Sequence, residues 1–413
     1  MMMYLLFSLI FLFFNGVVHT QRTPMNIFLP LDPFIIPYEI TEEQDAQISF
    51  YGETAIKNAH GFNNQGQTSN VLQIWSASEN AVTMLNDSPI GSEQANIRNQ
   101  IGMLTNPNSG KIIFHGEFKE KFGGVVNFRK QIYDFFYFSL LLPYYAVTLS
   151  KVNYEDLTPT NTLQDQLIHE LITDNLVENV KKWGKLDITP WSRNGFGDMT
   201  AQLEWHKHFP QHRPILQEVT AHLHAGITFP TGKKLDANKL IAFSFGNNGA
   251  FAIPFGAALD LQLGSYIHTG IDVLLIHTFS TVLNERIKSS EVQTQLLLLQ
   301  VAESYVDFGL TQRFLLYATL SDLIPHVSCT IWYDYLKQGE DEIVVRGNQF
   351  LTSIAQNAFI FDDRTMHHMV FTLDYNQSFS LFDFSASFVA RFPFKGKRVL
   401  ASSTLGGSIS FAF

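Results

Sequence analysis

Two His-x-His pairs lie close together in the chain, His206 with His208 and His222 with His224. Imidazole is a common transition-metal ligand, so four rings on neighbouring segments raise the question of a metal site. Both pairs fall where apolar and polar residues alternate. Met199, Ala201, Leu203 and Trp205 stand against Gln202, Glu204 and His206; Val219, Ala221, Leu223 and Ala225 stand against Thr220, His222 and His224. Strand side chains alternate between two faces, so each pair shares one face. A hairpin turning near His212 sets His222 opposite Gln202 or Glu204 and displaces His206 towards the turn. The four rings then do not converge on one ion. The expectation is a Glu204–His222 hydrogen bond, or solvated histidines, and no bound metal. The sequence carries no GxSxG elbow, no HExxH and no phosphate-binding glycine loop, and Gly246-Asn247-Asn248-Gly249 reads as a turn. No catalytic residue and no cofactor is expected. The one cysteine, Cys329, rules out an internal disulfide framework and a cysteine-based zinc site.

The other groups able to act are charges and polar side chains on similar alternating segments. Glu117 and Lys119 come first, then Asp198, Gln202 and Glu204, then Asp260, Gln262, His268 and Asp272. Glu303, Asp307, Arg313, Asp334, Asp374, Asp383 and Arg391 follow in the second half. Carboxylates outnumber cations in this set. If these faces line a pore, their field favours cations; otherwise they pair locally inside a wet or plugged interior.

The elements that carry these residues recur along the chain. Phe382, Phe384, Ala386, Phe388, Ala390 and Phe392 oppose Asp383, Ser385, Ser387 and Arg391, and Val399–Phe413 alternates likewise up to its last residue. Strands are predicted over 45–57, 111–122, 132–150, 196–209, 217–229, 250–263, 266–280, 298–319, 325–338, 366–378, 380–393 and 399–413. They are long for globular strands, which average ~5–6 residues. Residues 1–20 have the short apolar core of an export signal. No later apolar run is long enough for a membrane-spanning helix. Charged residues are only 16% and the net charge is −10, which opposes both disorder and nucleic-acid binding. The pattern points to an all-β fold, a transmembrane antiparallel β-barrel of about twelve to fourteen strands over 45–413 with one loop helix. Short turns are expected at 123–131, 210–216, 264–265, 320–324 and 379, and long external loops at 58–110, 151–195, 230–249, 281–297 and 339–365. Residues 70–77 could hide a further hairpin strand.

The loop helix is predicted where Leu163, Leu167, Ile168, Leu171, Ile172, Leu176, Val177 and Val180 recur at helical spacing. Thr162 with Asp165 resembles a capping box, and Lys181, Lys182 and Gly184 suit its end. It packs on the barrel rim or acts as a lid. Residues 21–44 contain Pro24, Pro30, Pro33 and Pro37 and read as a periplasmic extension or a plug.

The terminal GGSISFAF resembles the C-terminal signal that outer-membrane barrels present to their assembly machinery through a final Phe, here Phe413. GFGDMTAQLEW (195–205), AGITFPTGKKLD (225–236) and FGAALDLQLG (255–264) resemble the GxGD…PTG stretch of outer-membrane channels of the phenol-degradation MetA-pathway family and the FadL-type transporters. That resemblance covers under a third of the chain. It implies a channel of the Gram-negative outer membrane, in contact with outer-membrane lipid, passing small and often hydrophobic molecules without a chemical step. Two other functions fit the same pattern. One is a surface adhesion protein anchored by a non-conducting barrel; the other is a barrel-borne hydrolase.

Overall fold

The computed structural model describes His19–Thr20 and residues 45–413, apart from His212 and Phe243. The predicted signal segment, save its last two residues, and the predicted extension or plug at 21–44 lie outside the described residues. His19–Thr20 pair in parallel with Asn284–Glu285.

Twelve antiparallel strands close into a barrel. They are β1 (Ala46–Ala55), β2 (Lys111–Tyr133), β3 (Phe136–Asp156), β4 (Met199–Pro210), β5 (Leu216–Phe229), β6 (Ala252–Leu263), β7 (Ile267–Thr278), β8 (Thr311–Ile324), β9 (Val327–Gln338), β10 (Arg364–Ser378), β11 (Asp383–Lys397) and β12 (Thr404–Ala412). Each pairs with its neighbour in sequence, and β12 returns to β1 with Ile409 opposite Phe50. Closure leaves no edge, so every strand finds its hydrogen bonds within the wall.

Alternation sorts the side chains into two environments. Phe50, Phe128, Leu203, Leu223, Phe255, Ile271, Leu316, Ile331, Phe371 and Phe388 point outward and are exposed. An apolar band that circles the molecule suits hydrocarbon, not water. Their inward neighbours Ser49, Asn127, Gln202, His222, Asp272, Thr372 and Ser410 are buried and polar. The start of β1 and the end of β12 share one rim with the turns at 134–135, 211–215, 264–266, 325–326 and 379–382. There the amide of Phe413 donates to the carbonyl of Ala46 at 2.8 Å. All long connections leave the other rim.

Four predicted boundaries need correction. The expected turn at 123–131 lies inside β2, whose true turn is at 134–135. Gly123-Gly124 there is a strand feature: a Cβ on Gly124 would stand 2.7 Å from the ring of Phe122, which lies across it. The expected turn at 320–324 is likewise the end of β8. The expected strand 298–319 is two elements. Val301–Asp307 pairs with Thr281–Arg286 and Glu342–Val345 in a small sheet outside the wall, and β8 begins only at Thr311. Val399–Ala401 similarly leaves the wall to pair with His60–Phe62. Residues 70–77 hold no barrel strand; Val71, Leu72, Ile74 and Trp75 are buried in a core instead.

That core caps the barrel at the long-loop rim. Ile74 and Met84 from the first loop, Ile168, Ile172, Leu176 and Val180 from the second, and Leu240, Phe245, Leu297 and Phe361 from later loops pack on Phe114, Phe118 and Leu149 of the wall. The second loop holds the helical segment, as α1 (Leu163–Ile168), a π-turn over His169–Thr173 and α2 (Leu176–Gly184). Thr162 caps it by accepting the amide of Asp165 at 3.1 Å. Its buried apolar residues Ile168, Ile172, Leu176 and Val180 fall four apart, one stripe against the cap.

Candidate functional site

The inner wall below the cap is largely polar, broken by an apolar cluster that includes Leu141, Leu315, Val370 and Val389, and its arginines sit at defined stations. On the turn side, Arg129 Nε lies 2.9 Å from Glu204 Oε2, and both side chains are fully buried. Ser139 donates to the other oxygen of Glu204, and His222 Nε2 stands 3.7 Å from the same carboxylate. Arg129 also stacks over the ring of Tyr137 at 4.3 Å. On the opposite wall and nearer the cap, Arg313 holds Asp334 in a two-pronged pair at 2.9 and 2.8 Å, with His368 Nδ1 at 3.5 Å. A planar guanidinium fits a carboxylate in this way. Arg391 lies 4.0 Å from Glu53, beside the buried Glu120.

The histidines are closer than the hairpin argument expects. The β4–β5 turn occupies 211–215, so His222 stands directly opposite His206, and Glu204 opposite His224. Expecting His222 opposite Gln202 or Glu204 misplaced the turn centre by one to two residues. The rings run His208, His206, His222, His224, with successive centroids 4.6, 5.7 and 5.4 Å apart. Among the described residues no group of three His, Cys, Asp or Glu could hold a metal ion. His208 instead pairs with Glu218 at 2.6 Å.

Most of the predicted site residues do fall on the inward rows. Gln202, Glu204, His222 and His224 share one patch. Asp260 accepts the hydroxyl of Tyr317 at 2.8 Å and faces His268 at 3.4 Å. Gln262 stands opposite His268, and Asp272 opposite Ala258, on the same face. Arg313 and Asp334 are joined as above, Asp374 takes the hydroxyl of Thr372 at 3.0 Å, and Asp383 and Arg391 continue the inward row of β11.

Four residues belong elsewhere. Glu117 and Lys119 face outward, and Glu117 pairs with Lys151 at 2.8 Å. A β-bulge between Glu120 and Phe122 flips the parity of β2. Beyond the lipid the barrel mouth is filled by an apolar cap and its outside meets water, so Phe114 and Phe118 turn in and the charges turn out. Glu303 and Asp307 lie on the small sheet outside the wall, where Glu303 pairs with Arg346 at 2.7 Å.

Asp198 is also inward but serves the loop mouth. Its Oδ1 accepts the amide of Gly232 at 2.8 Å and its Oδ2 that of Asn247 at 2.5 Å. A Cβ at Gly246 would come 2.1 Å from the carboxylate, and one at Gly232 would come 2.3 Å from the carbonyl of Phe245. The three separated motif pieces GFGD, PTG and GNNG therefore meet at one carboxylate. Burial raises its pKa to about 6 against the pull of those two amides.

Residues that alternation alone missed include Arg129, hidden by the turn expected at 123–131, Glu120, which lies on the same inward face as Phe118, and Ser139, inside the expected strand 132–150 but not singled out. The aromatic pair Tyr317 and Trp332, 4.5 Å between ring centres on the inner face, was visible in the pattern but not singled out.

No protein-family model and no curated sequence matches the chain. Among solved structures it is similar to the COG4313 outer membrane channel from Pseudomonas putida F1, at 12% identity and a TM-score of 0.52, over 93% of this chain and 100% of that one. Weaker likenesses include a Pseudomonas aeruginosa FadL homologue, at 9% identity and 0.30 over 97% and 99%. The CymD monoaromatic hydrocarbon channel stands at 9% and 0.28 over 89% and 88%. The first of these likenesses establishes a shared barrel fold.

Proposed function

We propose that the chain is an outer-membrane channel for passive passage of small molecules. One observation carries the reading: a closed wall that is apolar outside and largely polar inside, with charged stations at more than one height around an apolar patch of Leu141, Leu315, Val370 and Val389. Tyr317 and Trp332 on the inner wall offer flat apolar surface beside Asp260, which suits solutes that are partly hydrophobic. No chemical step is assigned. In the same reading residues 1–20 direct export, Phe413 presents the last strand to the barrel-assembly machinery, and 45–413 is one domain.

Inner-wall carboxylates exceed arginines: Arg129, Arg313 and Arg391 are each set against a carboxylate, while Asp260 and Asp374 add further negative charge. The field favours cations. Purified protein in a planar bilayer with a potassium chloride gradient should give a reversal potential of cationic sign. Folded protein with no openings at any voltage overturns the channel. The second reading, a non-conducting anchor, is favoured by the apolar cap across the mouth, and that silent bilayer is its signature.

A further inference from the structure

The outer wall carries a pattern that passage through the interior does not use. On β9, β10 and β11 the register aligns outward side chains in rows across the strands. Ile331, Phe371 and Ala390 are level; then, towards the long loops, come Tyr333, Met369 and Phe392. The next row is Tyr335, His367 and Lys395, and the last is Lys337, Thr365 and Lys397. Apolar gives way to aromatic and aromatic to cationic over six residues, about 20 Å along a strand.

The aromatic rows are packed. The Tyr333 hydroxyl lies 2.7 Å from His367 Nδ1, and Tyr335 and Phe394 stack on the same imidazole at 4.9 and 5.9 Å. Such belts sit where hydrocarbon meets headgroups, which places the lysine row at headgroup level. Lys337 on β9 stands beside Thr365, and Lys395 on β11 stands one row lower opposite His367; two strand spacings and one row put them about 12 Å apart, a gap that two flexible lysine stems close from both sides. Lys397 and Arg398 are met by Asp363 and Asp362 at 3.4 and 3.1 Å. Lys337 and Lys395 make no ion pair among the described residues.

At the loop-side ends of β5, β6 and β7 the corresponding region shows Phe229, Phe251, Ile253 and Phe279, without lysine, and on β2 the outward Lys119 shares its face with Glu117, itself paired with Lys151. In a chain of net charge −10, unpaired cations on one face at headgroup height are complementary to an anionic lipid.

We propose that this face holds one phosphate-bearing lipid of the outer leaflet. Its phosphate sits over Thr365 between Lys337 and Lys395, and its acyl chains lie along Tyr333, Met369, Phe392 and Phe371. The proposal rests on the membrane-spanning outer-membrane reading and is independent of permeation.

Native mass spectrometry of the full-length protein, released from neutral detergent after incubation with lipid A, tests it. Wild type should retain one lipid A. K337Q/K395Q should lower the retained fraction about tenfold or more, while K130Q/K207Q, on outward lysines at the other rim, should leave it unchanged. Both variants are first shown folded by their heat-modifiable migration on gels. Equal retention by K337Q/K395Q overturns the proposal. So does equal retention of phosphatidylcholine, or displacement of the lipid by inorganic phosphate, which marks a free-anion site. A silent bilayer recording removes the channel and leaves this test intact.

Discussion

Asp198 joins three stretches of chain through one carboxylate, and its burial sets how that junction responds to pH. Its usual pKa is near 3.8, and in the folded loop it is pushed up to about 6 because desolvation outweighs two amide donors. Between those values the folded form holds a proton that the unfolded form has released. By linkage, docking of the 230–249 loop is firmest in acid and weakens as pH rises through about 6. Hydrogen-exchange protection factors for this loop should therefore fall between pH 5 and pH 8, and D198N should flatten the change. D198A leaves two buried amides without an acceptor and should cost about 1–3 kcal/mol of local stability. Unchanged protection in both variants removes the junction. Glu79 behaves in the same sense: burial raises it to about 7 even though it accepts the amide of Leu296 at 2.9 Å. E79Q should therefore match wild type at pH 4 and exceed it at pH 8 in resistance of the cap to proteolysis.

A buried cation ties several cap elements together. Arg286, at the end of the outer hairpin, is 1% exposed. It donates to the carbonyls of Ala237 at 2.6 Å, Leu298 at 2.8 Å and Gly184 at 2.8 Å. Three loops, one of them through the C-terminus of α2, are thus tied to one guanidinium. Burial lowers its pKa only to about 10, so the charge persists at neutral pH. R286M strands those carbonyls and should cost the cap about 3 kcal/mol or more. R286K should recover part of it, since one ammonium cannot reach all three directions. Limited proteolysis of the loops reads the effect, and the barrel's heat-modifiable migration should not move. The strands, their sides and the helical stripe were legible because each repeats a period: two in the wall, and nearly four through Ile168, Ile172, Leu176 and Val180. Arg286 was not legible. A lone arginine in a loop has no period, and its partners are backbone carbonyls from distant segments, which side-chain pattern does not encode. The motif pieces around Asp198 were visible as strings, but only the fold shows that they touch. The histidine pairing failed for a narrower reason: a five-residue turn shifts register by one or two places relative to a tight one, and the turn sequence does not declare which is used.

Across the whole molecule, one rule of patterning holds in the lipid and inverts beyond it. Within the band, apolar side chains face out because hydrocarbon is the solvent. At the long-loop rim, water is outside and the cap is inside, so Ile112, Phe114 and Phe118 face inward and are buried, while Lys119 faces out. The bulge in β2 is the device that changes parity at that boundary. Any reading that assigns one solvent to the full length of a strand therefore misplaces its upper third, as it misplaced Glu117 and Lys119. The inversion makes a comparison that no soluble sheet shares. F371K, outward within the band, should destabilise folding into lipid vesicles by about 2–4 kcal/mol. T372K, its inward neighbour, should cost clearly less because its ammonium reaches a polar lumen. F118K should be as costly as F371K although it faces the opposite way, since it charges the cap core. K119F, on the outside above the lipid, should be nearly neutral. Urea titrations of vesicle-folded protein give all four values. If F371K and T372K cost the same, the wall does not separate lipid from a polar interior. If F118K is as mild as K119F, the mouth is filled with water and the cap is not a core.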